Sequence, residues 1–204
     1  TWRFITSSAD GTKLAATVHG GNIWTSSNSG VTWTENTSTG AAKSWHHITS
    51  SADGTKLAAE VNAGHIWTSS DSGATWTENT TTSGTTKYWH GITSSADGTK
   101  LAAVENNGNI YTSTDSGATW TEDTSVGATK GWWDITSSSD GTKLAATARF
   151  GHIWTSTDSG ATWTVDTSVG ATKGWRQITM SADGTKLAAT VANSNLWTSN
   201  DSGA

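Results

Sequence analysis

Short apolar and polar runs follow one another along the chain at a spacing too tight for helices. WHHITSS (45–51) leads into the dipeptide Asp53-Gly54, and KLAAEV (56–61) into a Gly- and Asn-containing turn at 62–64. HIWTSS (65–70) then reaches a second turn, Asp71-Ser72-Gly73-Ala74, and TWTENT (75–80) closes the unit before a Ser/Thr/Gly segment leads to the next Trp. No stretch carries a 3.6-residue apolar period. Runs of this length, bounded by Asp-Gly and Gly turns, are the mark of strands joined by tight hairpins. The pattern predicts four short antiparallel strands per unit, A to D.

The unit recurs. ITSSADGTKLAA starts at Ile5, Ile48 and Ile92, and returns with single changes at Ile135 and Ile178. A repeat of about 43 residues whose sheet cannot bury its own faces predicts a radial array of blades. The expected fold is therefore all-β, a five-bladed β-propeller of four-stranded antiparallel blades. One domain spans 1–204, with units at about 1–43, 44–87, 88–130, 131–173 and 174–204. Trp2 precedes Ile5 as Trp45 precedes Ile48, so the chain opens on strand A. It stops at Ala204, before a fifth strand D. The last blade is thus expected to lack its outer strand and to leave an open edge, a route to homo-oligomers.

Composition changes this picture little. Aliphatic residues are few, but 14 Trp supply large apolar surface. The absence of Cys excludes disulfides and thiolate metal sites. A net charge of −5 and 12 dispersed Lys and Arg argue against a nucleic-acid surface. No apolar run approaches the ~18 residues of a membrane span, so no membrane insertion is expected. The sequons Asn36-Thr-Ser, Asn79-Thr-Thr and Asn200-Asp-Ser fit an extracellular, secreted protein.

The segments from Ser69 to Trp76, Ser113 to Trp120 and Ser156 to Trp163 read S/T-x-D-x-G-x-T-W. They resemble the Asp box of BNR repeats in sialidase-like propellers and in related lectin or adhesin propellers. The first copy has Asn28 in place of Asp, and the last lacks its Thr-Trp. The resemblance implies the propeller fold and a structural role for the box, away from active sites. Asp71, Asp115, Asp158 and Asp201 read as turn-capping carboxylates, since one carboxylate per turn makes no calcium cage.

Catalytic chemistry finds no footing. A sialidase needs an arginine cluster with a Tyr–Glu pair, whereas Arg3, Arg149, Arg176, Tyr88 and Tyr111 read as scattered over non-equivalent positions. A carboxylate pair would have to come from Glu60, Glu105 or Asp134, and the two Glu stand where other copies have Thr or Val, as if by drift. His46 and His47 are adjacent and are expected on opposite faces of a strand. No catalytic residue, metal ligand or cofactor is assigned.

Binding is sought at the end that varies. The A–B and C–D turns repeat almost unchanged, while the B–C turns read HGGN, NAGH, NNGN, RFGH and ANSN. Variable loops on a rigid scaffold are where function collects. This end carries Trp2, Trp45, Trp89, Trp132 and Trp175, with Lys43, Lys87, Lys130 and Lys173 nearby. One polar slot holds Asn22, His65, Asn109, His152 and Asn195. Two readings of the Trp set stand: plugs between blades, or platforms on which sugar rings stack while the polar slot and Lys bind hydroxyls. The second makes the chain a multivalent lectin for glycans with up to five similar sites. The alternative is a non-catalytic propeller module, natural or engineered, for protein contacts or adhesion.

Overall fold

The computed structural model describes residues 1–81 and 86–203. Each unit folds as the pattern predicts, into strands that pair antiparallel with their sequence neighbours. The first strands are β1 (Trp2–Ser7), β5 (Lys43–Ser50), β9 (Lys87–Ser94), β13 (Lys130–Ser137) and β17 (Lys173–Met180). The second are β2 (Leu14–Gly21), β6 (Leu57–Gly64), β10 (Leu101–Gly108), β14 (Leu144–Gly151) and β18 (Leu187–Val191). The third are β3 (Ile23–Ser26), β7 (Ile66–Ser69), β11 (Ile110–Ser113), β15 (Ile153–Ser156) and β19 (Leu196–Ser199). The fourth are β4 (Thr34–Asn36), β8 (Thr77–Asn79), β12 (Thr121–Asp123) and β16 (Thr164–Asp166). The result is a five-bladed β-propeller with, among the described residues, four strands in blades one to four and three in blade five.

The second strand runs further than its sequence suggests. Asn62–Gly64 belongs to β6 rather than to a turn, because Asn62 and Gly64 pair with Tyr88 and Lys87 of the next blade. The same overhang joins β2 to β5, β10 to β13 and β14 to β17. A second set of bonds ties the A–B turns in series: Ala9 N–H to Ala52 O, Ala52 to Ala96, Ala96 to Ser139 and Ser139 to Ala182, each 2.7–2.8 Å.

The Asp-Ser-Gly turns explain their own sequence. Asp71 accepts bonds from the Thr75 N–H (2.9 Å), the Thr75 hydroxyl (2.6 Å) and the Ser69 hydroxyl (2.8 Å). These bonds, led by the Thr75 hydroxyl, hold its carboxyl down at about 2. Gly73 takes φ +86°, a conformation open to a residue without Cβ. Trp76 folds back and donates its indole N–H to Gly73 O at 3.1 Å. Asn28 keeps this geometry, accepting from the Thr32 N–H at 2.9 Å.

First strands pack around the centre, β1 on β5, β5 on β9, β9 on β13 and β13 on β17. Each has a bulge between its Trp and its Ile. In blade two, Trp45 faces Val61 and Ile48 faces Ala59, so two residues of β5 oppose Glu60 alone. Bulges re-aim side chains, and here they turn the pair that follows each Trp toward the axis.

Candidate functional site

The two positions after each first-strand Trp differ in every blade: Arg3-Phe4, His46-His47, His90-Gly91, Trp133-Asp134 and Arg176-Gln177. On innermost, bulged strands they meet at the centre. The Phe4 ring lies 3.5 Å from that of His47, between centroids. His46 and His47 stack at 4.9 Å with planes 2° apart, so the bulge puts on one side two rings that regular alternation would separate. His46 meets His90 at 4.7 Å, and His90 meets Trp133 at 4.2 Å. The guanidinium of Arg176 stands 4.1 Å from the centre of the Trp133 ring. Arg149, from the β14 overhang, lies 5.0 Å from the same ring and 4.7 Å from that of Phe150. Rings and guanidinium groups thus run from blade one to blade five.

Gly91 allows the closest approach. A Cβ there would stand 3.0 Å from Asp134 Cα, so only glycine lets β9 lie this near β13. Asp134 then bridges to blade five. Its oxygens accept from the N–H groups of Ile135 (2.9 Å) and Ile178 (3.0 Å). Burial pushes its carboxyl up to about 7 despite those two bonds.

Arginine supplies the positive charge at this mouth. Burial, helped by the charge of Arg3, pulls the His46 imidazole down to about 4. Burial, then His46, does the same to His90, and burial holds His47 well below its ordinary value. His90 Nδ1 donates to Trp133 O at 3.2 Å. Glu60 is fully buried, desolvation raises its pKa, and one of its oxygens lies 3.4 Å from His46 Nδ1. The three arginines are the only ones in the chain, and among the described residues none has a carboxylate within 4 Å. Arg3 and Arg176 occupy the same place in the repeat, directly after the Trp, so they are equivalent rather than scattered. Glu60 fills the second-strand position facing the bulge, where the other blades have Thr17, Val104, Thr147 and Thr190. Glu105 bonds Lys87 Nζ at 3.2 Å and the Tyr111 hydroxyl at 3.3 Å.

The sugar platform does not survive for four of its five indoles. Trp45, Trp89, Trp132 and Trp175 are fully buried between blades and present no face to solvent. Trp2 alone is exposed, at 62%. Lys43, Lys130 and Lys173 cover third-strand indoles, their Nζ 4.7–4.8 Å from the rings of Trp67, Trp154 and Trp197. Lys87 does the same over Tyr111. In the polar slot, Asn22 and Asn109 donate to Glu35 (3.0 Å) and Glu122 (2.7 Å) on the fourth strands. His65 and His152 bury an Nδ1 with no partner among the described residues, and Asn195 is exposed in the three-stranded blade. The structure does not bring the five copies of these slots together. The axial cluster escapes a reading by repeats because its residues change from blade to blade.

No family model and no curated protein matches the sequence. Solved structures do match. A GH74 enzyme from Niastella koreensis superposes with a TM-score of 0.75 at 21% identity, over 98% of this chain and 30% of that one. YCF48 bound to D1 peptide gives 0.72 at 15% identity, over 98% and 65%. The Cps50 (Swd1) β-propeller domain of Myceliophteria thermophila gives 0.72 at 13%, over 100% and 71%. At these identities the likeness shows the fold, that of a β-propeller. The chain spans about a third to two thirds of the length of the first two structures.

Proposed function

We propose that the chain is a non-catalytic binding module that takes an acidic segment of a protein partner at its axial mouth. One observation carries this: Arg149 and Arg176 flank Trp133 with, among the described residues, no carboxylate within 4 Å of either, and the charge of Arg3 is felt by His46 in the same cluster. Guanidinium groups on an aromatic plane hold their donors ready for a carboxylate. Catalysis is left out because Glu60 and Asp134, the acids nearest the centre, are both buried and tied into the fold. The complex of YCF48 with a peptide shows a protein of this fold engaging a polypeptide.

The test is fluorescence anisotropy with labelled acidic and basic peptides of equal length. The acidic probe is expected to bind, and the Arg149→Ala/Arg176→Ala double variant to bind it at least tenfold more weakly with unchanged melting. Equal binding of both probes, or no loss in the variant, rejects the proposal. A glycan is the second reading, favoured by the half-buried indole of Trp133. It reduces the lectin to one site, and an uncharged oligosaccharide titrated against the same two proteins separates it from the first.

A further inference from the structure

Consecutive blades are joined in one way. The earlier blade inserts an Ala of its second strand and the Ile that opens its third; the later blade receives them on its Trp and the first-strand Ile. Between blades two and three, Ala58 and Ile66 lie against Trp89 and Ile92. Between blades four and five, Ala145 and Ile153 lie against Trp175 and Ile178.

Blade one carries the receiving half with nothing seated on it. Trp2 and Ile5 are each 62% exposed, whereas their counterparts in the other four blades are buried. With Phe4, Ala16, Trp24 and Trp33 they line an open cavity of about 470 Å³. Blade five carries the inserting half: Leu196, in the place of Ile66 and Ile153, is 65% exposed. Among the described residues no packing joins β17 to β1 as β13 joins β17.

The backbone halves match as well. Ala182 accepts from Ser139 and stands where Ala9, Ala52 and Ala96 each donate to the next blade, while Ala9 O stands where the other blades accept. The strand β18 stops at Val191, three residues shorter than β2, so it lacks the overhang that pairs onward in the other blades. Ala192 corresponds to His19, whose partner is Ser44, and Thr1 corresponds to Ser44.

We propose that the free face of blade one receives blade five of a second copy of this chain, head to tail. Leu196 enters the cavity beside Trp2 and Ile5, the Ala182 N–H donates to Ala9 O, and Ala192 pairs with Thr1. The occupant is a second copy because this joint continues, residue for residue, the four already present inside the molecule. The contact is made by sheet faces, not by the outer edge of blade five. It joins two different surfaces, so it is heterologous and forms rings or filaments.

Sedimentation velocity across a concentration series tests this. The parent chain is expected to form dimers and larger species that grow with concentration. Ile5→Glu and Leu196→Glu change exposed residues, so circular dichroism should be unaltered, and each alone should be monomeric. An equimolar mixture of the two should stop at dimers, since one intact face of each kind remains. A parent chain that stays monomeric, as it would if blade five closed on its own blade one, overturns the proposal. So does a monomeric mixture, or a single variant that still dimerises.

Discussion

Arg176 of blade five lies on Trp133 of blade four, its guanidinium carbon 4.1 Å from the ring centre. Cation–π contacts contribute about 0.5–2 kcal/mol, more when water is excluded, and they depend on the flat guanidinium. Arg176→Lys keeps the charge but loses that plane. Binding of an acidic peptide is expected to fall several-fold in Arg176→Lys and further in Arg176→Ala. Calorimetric titration measures both. Full affinity in the Lys variant would show that charge alone, and not the stack, is read at this mouth.

Trp89 and Trp2 hold the same position in the repeat and should behave oppositely. Trp89 is fully buried and its indole donates to Gly64 O at 3.2 Å. Trp89→Ala should lose roughly 3–5 kcal/mol, the usual cost of emptying a large buried aromatic site. Trp2→Ala in the dilute monomer should lose about 1 kcal/mol or less. Urea denaturation compares the two. Similar losses would contradict the exposed face of blade one.

Acid should unfold the protein in two stages. His46 and His90 take up a proton at about 4 in the folded chain, against 6.5 when unfolded. The unfolded state therefore binds these protons first, and the rings' contribution to stability falls as pH drops from about 6.5 to 4, on the order of 3 kcal/mol for each ring. The turn carboxylates Asp71 and Asp115, held at about 2 by their Thr hydroxyls, contribute above pH 4 and lose that contribution as pH falls toward 2. Asp134, raised to about 7 by burial, works the other way, its contribution complete below about pH 4 and lost as pH rises through 7. Urea midpoints against pH should show a flatter slope between 6.5 and 4 in His46→Gln/His90→Gln. An unchanged slope would place the acid sensitivity elsewhere.

Gly91→Val should disturb the centre by pressing β9 against Asp134 and Ile135 of the next blade. Its Cβ would meet Asp134 Cα at 3.0 Å, and Asp134 Oδ1 and Ile135 N each at 3.1 Å, all on the next blade. A loss of roughly 1–3 kcal/mol is expected, with weaker acidic-peptide binding as β13 moves and carries Trp133 with it. Thermal melting and anisotropy on one sample check both parts. A variant of parental stability would mean that the first strands are not packed this closely.

The blades were legible because Trp, Ile, Leu and the two turns recur in register, and each repeat restates the hairpins locally. Strand ends were not. Asn62 and Gly64 look like a turn by residue type, and Ala63 does take φ +58°. Their partners, however, lie on the next blade, some 25 residues on, where local pattern has no reach. The axial site was hidden for a related reason. Reading by repetition discards what changes from copy to copy, and this position holds Arg3, His46, His90, Trp133 and Arg176 in turn. That position was the usable signal: in strands otherwise alike, it alone collects arginine, histidine and tryptophan. The bulge that turns it inward is a tertiary fact, set by pairing with β2, β6, β10, β14 and β18.

The joint between blades also bears on inheritance. Every unit carries both a socket and the plug that fits it, encoded in nearly identical stretches that invite misaligned recombination. Gain or loss of a whole unit leaves each surviving joint intact, so the blade number can drift without a new folding problem. The residues at the axis have no such freedom. Reordering the units would preserve the scaffold and scramble the recognition surface in a single event.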